Sequence, residues 1–245
     1  MVEIFLEQLD YISNFNSIIL TCITFCHYIV YSLVVYSEFT NYYFQKIIIT
    51  TYITFLVLLS YKNKFNFLNQ LAYNNFADKR CIFCIRNFGD VVSNIVFIIG
   101  GLYHYNSHFE LCILSFLVAI GSTYYHWNPN MMTLYFDRLP MVLLLNYLIY
   151  WKFSIGLLAA NLIGLYTLLY WHYTYDLIPY SLYQTVPVIL FVFDTTLNMQ
   201  YYGIFYILAK LCENNDIKIY LMTNKIISGH TIKHILAGLA LLYIT

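Results

Sequence analysis

The sequence is poor in charged side chains: Asp, Glu, Lys and Arg make up only 10% of its 245 residues. A soluble globular domain carries roughly 25%, so the composition excludes a soluble monomer. The regular alternation of polar and apolar residues that marks a membrane β-barrel is also missing. What is present is 61% hydrophobic residues in long continuous runs, with a mean hydropathy of +0.65. This composition predicts an all-α protein that is integral to a membrane and crosses it several times.

The sequence also lacks any block of basic residues, and its net charge is zero. We therefore expect no nucleic-acid partner. The amino-terminal segment carries Glu3, Glu7 and Asp10, where a secretory signal peptide would be basic, so we expect no cleavable signal peptide. Internal repeats and low-complexity linkers are missing as well, which leaves the chain to be divided by hydropathy alone.

Six cysteines are present, but only Cys81 and Cys84 form a CxxC motif. A structural zinc site of this type needs a second pair, and a thioredoxin-like redox site needs a βαβ context. The sequence offers neither. We therefore predict that both cysteines are dispensable for metal binding and for activity.

Apolar runs divide the chain into two parts. Two runs, at about 18–36 and 47–60, precede a polar stretch that is rich in Lys, Arg and Asn. We predict a hydrophobic helical pair with a polar linker over residues 1–75, followed by a seven-helix core over residues 76–245. The candidate membrane helices of the core run over about 88–105, 110–127, 134–150, 154–171, 179–193, 199–211 and 226–245.

The number of core helices determines which polar residues can meet. With seven crossings, the second core helix ends on the membrane face where the third and the seventh begin. His126 therefore lies on the same face as Asp137, His230 and His234. Most Lys and Arg residues of the connecting segments also fall on this face, and the positive-inside rule predicts that it is cytosolic.

The converging residues have the spacing of a metal site. Ser122 and His126 are four positions apart, as are His230 and His234, so each pair shares a helix face. A His pair at this spacing can bind one zinc ion. With His126 added, three imidazoles are available, and three protein ligands with an open fourth position describe a catalytic zinc site.

Two further polar residues fit hydrolytic chemistry at such a site. Zinc lowers the pKa of bound water toward about 7 and can polarise a carbonyl. Asp137 is the only acidic residue that the topology allows to act as the base, and Ser122 could hydrogen-bond the water or the oxyanion. The alternative is that these histidines only hydrogen-bond across helix pairs. We expect His104 and His108, in a short loop on the opposite face, to be solvated.

Two stretches also resemble a known family. "GSTYYHWNPNMMTLYFDRLPM" and "SGHTIKHILAG" resemble the Ser…His…Asp and His-x-x-x-His signatures of alkaline ceramidases, which belong to a group of seven-helix membrane hydrolases that includes the adiponectin-receptor-like proteins. "NFGDVVSNIVFIIGG" resembles the first core helix of that family. "FADKR", "YWHYTYDLIPYSLYQTVP" and "FYILAKLCENNDIKIY" look more like its mainly bacterial branch. The resemblance covers about residues 76–245.

Characterised members of this family cleave the amide of ceramides to a sphingoid base and a fatty acid. The resemblance implies zinc ligands at His126, His230 and His234, and water-orienting roles for Ser122 and Asp137. It therefore agrees with the interpretation of the residues themselves.

The sequence departs from the family at three places. Alkaline ceramidases bind calcium through an acidic segment before the first core helix, but here only Asp78 and Asp90 are carboxylates. Calcium prefers several carboxylate oxygens, so a calcium site is doubtful. The N-terminal helical pair has no counterpart in the animal enzymes. "DRLPM" replaces the more usual "DELPM", and Arg138 could anchor a lipid headgroup or a carboxylate.

The sequence thus predicts a zinc-dependent amidohydrolase that acts on a membrane lipid, with ceramide as the leading substrate. Two other classes remain open. A seven-helix receptor or sensor would bind lipid and keep the zinc for structure, and a transporter would use the polar residues as an ion path. Broken helices in matching halves, which mark many transporters, are missing. The expected partner is a lipid, and nothing in the sequence indicates a protein partner.

Overall fold

The computed structural model describes residues 75–154, 156–174 and 177–244. The predicted N-terminal helical pair and nearly all of its linker lie outside these residues. The described part of the chain belongs to the predicted core.

The described residues form helices and no β-strand, so the prediction of an all-α chain is confirmed for them. The helices are α1 (Phe88–Val92), α2 (Ile95–Tyr103), α3 (Phe109–Trp127), α4 (Met131–Phe153), α5 (Leu157–Thr174), α6 (Ile178–Val192), α7 (Leu197–Asn214), α8 (Asp216–Met222) and α9 (Gly229–Leu241).

Seven of these helices pack as a closed ring. Each contacts the next in the order α2, α3, α4, α5, α6, α7 and α9, and α9 contacts α2 again. The short α1 packs against both α3 and α9, and the short α8 packs against α9 and α7. As a result, α1 connects the end of α3 to the beginning of α9, which are far apart in sequence.

Two of the described helices are long and apolar enough to cross a membrane, as judged by length and composition. They are α3 and α4, and the stretch Phe88–Tyr103 is apolar but shorter. A core helix of a soluble protein passes the same test, so this finding is compatible with a membrane protein without requiring several crossings. The seven membrane spans stay a prediction.

The first predicted core helix is interrupted at Ser93 and Asn94. The Ser93 hydroxyl donates to the Asp90 carbonyl at 3.0 Å, and the Asn94 amide side chain donates to the same oxygen at 3.0 Å. The Asn94 backbone N–H turns to the Val91 carbonyl instead. Side chains of this kind compete with the helical ladder, and here they release the Asp90 carbonyl from it.

Side-chain caps determine where the two site-bearing helices begin. The Asn130 side chain accepts a hydrogen bond from the Thr133 N–H at 3.0 Å, and the Thr133 hydroxyl accepts one from the Asn130 N–H, which makes a capping box at the start of α4. Ser228 caps α9 by accepting from the Thr231 N–H at 2.8 Å. The caps fix the helical positions of the residues one or two turns further on.

The prediction for His104 was wrong, because this side chain is buried with 1% exposure. Its Nε2 lies 2.7 Å from the Leu241 carbonyl near the end of α9. The last carbonyls of a helix lack intrahelical donors, and His104 supplies one. His108 is partly buried, with its Nδ1 3.4 Å from the Tyr147 hydroxyl.

Candidate metal centre

Three histidines from two helices converge in the structure. His126 lies at the end of α3, and His230 and His234 lie in the first two turns of α9. One ligand nitrogen from each lies within 4.8 Å of the others, and all three side chains are buried. The ring centroid of His126 is 4.5 Å from that of His230 and 4.9 Å from that of His234. The structure therefore brings together the three residues that the sequence nominated as ligands.

The ring of His234 is oriented by the break between α1 and α2. Its Nδ1 lies 3.1 Å from the Asp90 carbonyl and 2.8 Å from the Ser93 hydroxyl. A carbonyl oxygen can only accept, so Nδ1 must carry the proton. Nε2 is then the nitrogen with a lone pair for a metal ion, an arrangement in which a second hydrogen bond fixes the tautomer of a ligand histidine.

The side chain of Asp90 holds the beginning of α9 in place. Its Oδ1 accepts from the Ser228 hydroxyl at 2.5 Å and from the Thr231 hydroxyl at 2.7 Å. At the other end of the site, the Asn87 amide donates to the His126 carbonyl at 2.7 Å. The region around α1 thus fixes both helices that carry the histidines.

The other two histidines have nitrogens that suit an ion. His126 Nδ1 is buried and has no hydrogen-bond partner among the described residues. His230 Nε2 lies 3.3 Å from the Lys233 ammonium. An ion at that nitrogen would replace this contact, and Lys233 would stay held by Glu213, whose carboxylate lies 2.6 Å from its Nζ.

Ser122 and Asp137 form a second pair beside the histidines. Both are buried, and the Ser122 hydroxyl hydrogen-bonds to the Asp137 carboxyl. Gly121 lets α3 and α4 come close enough for this hydrogen bond, because a Cβ at this position would overlap the backbone carbonyl of Phe136. The absence of a side chain at Gly121 therefore sets the distance between α3 and α4 at the site.

Arg138 is buried rather than turned toward a membrane surface. It is 1% exposed, its Nε lies 3.7 Å from the Asp137 carboxylate, and its guanidinium lies over the Tyr180 ring at 5.7 Å. Of the two roles suggested for it, the contact with Asp137 favours a carboxylate partner over a lipid headgroup at the surface.

The segment before α1 covers the histidines from one side. The Phe76 ring packs edge-on at 4.5 Å from the His126 ring and 5.1 Å from the His230 ring. Asp216, at the start of α8, accepts from the Ala77 N–H at 2.9 Å and from the His230 N–H at 2.8 Å. One carboxylate therefore ties this segment to the helix that carries two of the histidines.

A cavity extends from the site between α2, α3, α4, α6, α7 and α9. Ser122, Asp137 and His234 line one end together with Lys210 and Lys233. The remaining wall is mostly apolar and lies up to two helical turns further along these helices, at Phe97, Val118, Met141, Leu144, Leu145, Ala237 and Leu241 among others. The cavity therefore combines a polar, charged end with an apolar end.

The donor set fits a transition-metal ion. Imidazole nitrogen suits zinc, copper, iron and nickel, so the three histidines are compatible with zinc without identifying it. Four-coordinate zinc holds its nitrogens about 3.4 Å apart, so separations of up to 4.8 Å need small side-chain movements to close. The unpartnered nitrogen of His126 is what a binding ion would satisfy.

The carboxylates expected near a calcium site have other partners. Asp78 Oδ2 accepts from the Arg80 guanidinium and from the Gly89 N–H, both at 2.8 Å. Burial raises the pKa of the Asp78 carboxyl, but the hydrogen bonds from Arg80 and Gly89 outweigh it and lower the pKa below its ordinary value. These contacts support the doubt about calcium, which stays a prediction.

The two cysteines of the CxxC motif lie in an exposed turn. Cys81 and Cys84 are both free thiols at the surface; Cys81 precedes a tight turn in which Ile82 and Ile85 pair, and Cys84 lies within that turn. Neither belongs to the group of residues that could hold a metal ion.

Comparisons with protein-family models, with curated proteins and with solved structures find no match for this chain. The resemblance to alkaline ceramidases therefore rests on the motifs of the sequence alone.

Sequence reasoning missed the residues that support the histidines. Ser93 was noted only as part of a family-like motif, although its hydroxyl contacts a ligand ring. Lys233 stands between the two histidines of α9, and its charge inside an apolar helix was a usable signal. Phe76 was likewise noted only as the first residue of the family-like "FADKR" motif, because an aromatic residue in an aromatic-rich sequence gives no signal of its own.

Proposed function

We propose that this protein is a membrane-embedded, zinc-dependent amidohydrolase that cleaves the amide bond of a membrane lipid. The observation that carries this proposal is one cavity whose lining combines His234 of the histidine cluster, the Ser122–Asp137 pair and an apolar wall. A hydrolase for lipid amides needs these three parts together: a Lewis-acid site, a proton acceptor and room for acyl chains.

The chain supplies groups for each proton movement of amide hydrolysis. When bound, zinc supplies a Lewis acid that polarises the carbonyl and makes water easier to deprotonate. Asp137 accepts a proton from the water that adds to the carbonyl carbon, and it returns that proton to the amine as the C–N bond breaks. Ser122 orients Asp137 through its hydrogen bond and can donate to the developing oxyanion. The products are a fatty acid and an amine.

Exposed apolar faces support the proposed membrane location. On α2, Ile95, Ile99 and Leu102 are all more than half exposed and share one side of the helix. α3 exposes Ile113, Leu117 and Ile120 with the same helical spacing. Large apolar surfaces of this kind are unfavourable in water and favourable against lipid tails, so we infer that the ring of seven helices spans the bilayer.

Ceramide is the leading substrate because of the resemblance of the Ser…His…Asp and His-x-x-x-His motifs to those of alkaline ceramidases. The apolar part of the cavity suits an acyl chain, since its lining extends from Asp137 to Leu145 along α4. Eight residues of helix rise about 12 Å, so the apolar lining is long enough to contact the part of such a chain next to the amide.

The test is release of fatty acid by the purified full chain in detergent. A panel of ceramides and other N-acyl lipids would be incubated with the zinc-loaded protein, with and without a zinc chelator, and free fatty acid would be measured. We expect release that stops on chelation and returns when zinc is added back. A protein that binds these lipids and retains zinc without releasing fatty acid would instead be a receptor or sensor.

A separate test addresses the predicted orientation. Seven core crossings place Thr245 on the face opposite the histidines, so a tag after Thr245 should be accessible only from the non-cytosolic side. A tag that is accessible only from the cytosol would contradict the orientation and leave the enzymatic proposal untouched.

A further inference from the structure

Beside the histidines, the cavity holds a cluster of charged side chains that the proposed hydrolysis does not use. Lys210 Nζ lies 2.7 Å from Glu213 Oε2, and Lys233 Nζ lies 2.6 Å from Glu213 Oε1. Two ammonium groups therefore share one carboxylate. We call Lys210, Glu213 and Lys233 the lysine cluster.

The charges around this end of the cavity do not cancel. The charged side chains that influence the lysine cluster are Asp137 and Arg138, which pair with each other at 3.7 Å. Three cations and two anions leave one positive charge in excess before any metal ion is added. An uncompensated charge in a buried site is costly, and ionisable groups retained inside membrane helices are functional candidates by default.

The position of the cluster indicates which part of a substrate it faces. The apolar wall of the cavity lies deeper along α4 and α9, beyond Asp137 and His234, and suits an acyl chain. The Lys210 side chain is 37% exposed, whereas that of Lys233 is 9% exposed. Lys210 is therefore the more accessible of the two ammonium groups at the polar end of the cavity, where the amine-derived part of an N-acyl lipid would remain.

Building on the proposed function, we propose that the lysine cluster binds an anionic group on the amine side of the substrate. The preferred substrates are then N-acyl lipids that carry a carboxylate or a phosphate near the scissile amide, so that an anionic relative of ceramide would be cleaved faster than neutral ceramide itself. The anionic group would pair with Lys210, while Lys233 stays paired with Glu213.

The test uses three lipids with the same acyl chain. N-oleoylethanolamine is neutral, N-oleoylglycine carries a carboxylate, and N-oleoylethanolamine phosphate carries a phosphate. We expect kcat/KM for the better anionic lipid to exceed that of the neutral lipid by about tenfold or more, the factor expected for a hydrogen bond to a charged group. The two anionic lipids together distinguish the carboxylate from the phosphate.

Lys210 is the residue to vary, because Lys233 contacts a histidine ligand. We expect Lys210→Met to lower the ratio of anionic to neutral kcat/KM by about tenfold, and Lys210→Arg to preserve most of it. Lys218→Met is the matched control, since Lys218 is an exposed lysine on α8. An equal rate on all three lipids, or a ratio that Lys210→Met does not change, would overturn the proposal while leaving amide hydrolysis intact.

A binding measurement separates this proposal from the enzymatic one. Dodecyl phosphate and dodecanol share an alkyl chain and have no amide, so their affinities can be measured whether or not hydrolysis occurs. Tighter binding of dodecyl phosphate that is weakened by Lys210→Met, but not by Lys218→Met, would support the anion site even if no N-acyl lipid is cleaved. Equal binding of both probes by the parent protein would contradict it.

Discussion

Two histidine pairs in this molecule have the same spacing and different surroundings. His104 and His108 are four residues apart at one end of the helical ring, and His230 and His234 are four residues apart at the other. The first pair occupies the turn between α2 and α3, and its nitrogens contact a backbone carbonyl and a tyrosine hydroxyl. The second pair lies on one helix and faces a third histidine.

The difference shows that spacing alone does not make a metal site. A His pair four apart presents two nitrogens to one point only where the backbone is helical, and the turn at 104–108 is not. A metal site also needs neighbours that fix the tautomer. His234 has such a neighbour in the Asp90 carbonyl, which the helix break leaves free to accept a hydrogen bond from the ring. The His104 ring instead bonds to the Leu241 carbonyl at the end of α9.

The two pairs should differ most in zinc content when one histidine of each pair is replaced by alanine. We expect His234→Ala to lose both bound zinc and lipid hydrolysis, because it removes one of three ligands. His104→Ala should keep about one zinc per folded chain. The measurement is metal content by elemental analysis, with helical content by circular dichroism to confirm folding. Full zinc in His234→Ala would refute the ligand assignment.

Asp137→Asn should separate binding of the metal from turnover. The amide keeps the size of the carboxyl but cannot accept a proton, so zinc should remain bound while hydrolysis falls by roughly 10²-fold or more. Zinc content and rate must be measured on the same preparation. Hydrolysis at the parent rate would rule out the proposed role of Asp137 and leave the metal site standing.

A smaller effect is expected from Ser93→Ala, which removes the hydroxyl 2.8 Å from His234 Nδ1. Loss of such a supporting hydrogen bond lowers metal affinity by about tenfold. The matched variant at the other pair is Tyr147→Phe, which removes the hydroxyl beside His108 and should not change the affinity. Competition with a chelator of known zinc affinity measures both, and equal affinities in the two variants would show that the contact with Ser93 does not support the ligand.

Ser122→Ala should retain zinc and lose about tenfold in rate, because one hydrogen bond to Asp137 or to the oxyanion is removed. The comparison with Asp137→Asn is the informative one. If the serine variant were the slower of the two, the division of roles between the two residues would have to be reversed.

The smallest effect is expected at the exposed CxxC motif. A double variant, Cys81→Ser with Cys84→Ser, should keep its zinc content and hydrolysis rate, because neither thiol belongs to the histidine group. Loss of bound zinc in this variant would show that the CxxC motif takes part in metal binding.

Much of the helical architecture could be predicted from hydropathy, but its interruptions could not. The predicted segment 110–127 agrees closely with α3 (Phe109–Trp127). The break at Ser93 and Asn94 lies inside an apolar run, and the competing hydrogen bonds that cause it depend on side-chain positions that hydropathy does not report. The short α8 lies in the polar connection between the last two predicted membrane helices, where hydropathy gives no signal.

The site residues could be nominated from sequence for two reasons. Ionisable groups are rare in this chain, and counting the predicted membrane crossings assigned each ionisable residue to one of the two membrane faces. Their supports could not be nominated in the same way. The Asp90 carbonyl is a backbone atom that becomes available only through a helix break, and the misplacement of His104 came from treating a short turn as solvated. Both depend on how helix ends pack against one another.

The ring of Phe76 bears on how fast a metal ion could enter and leave. It lies against His126 and His230, and the segment that carries it is tied down by Asp216. With that approach covered, the cavity that would also receive the lipid offers a route to the histidines, since His234 lines it. A bound lipid would then slow exchange of the ion. Chelation would be fast in the lipid-free protein and slow during turnover, so the time allowed for it is part of any test of metal dependence.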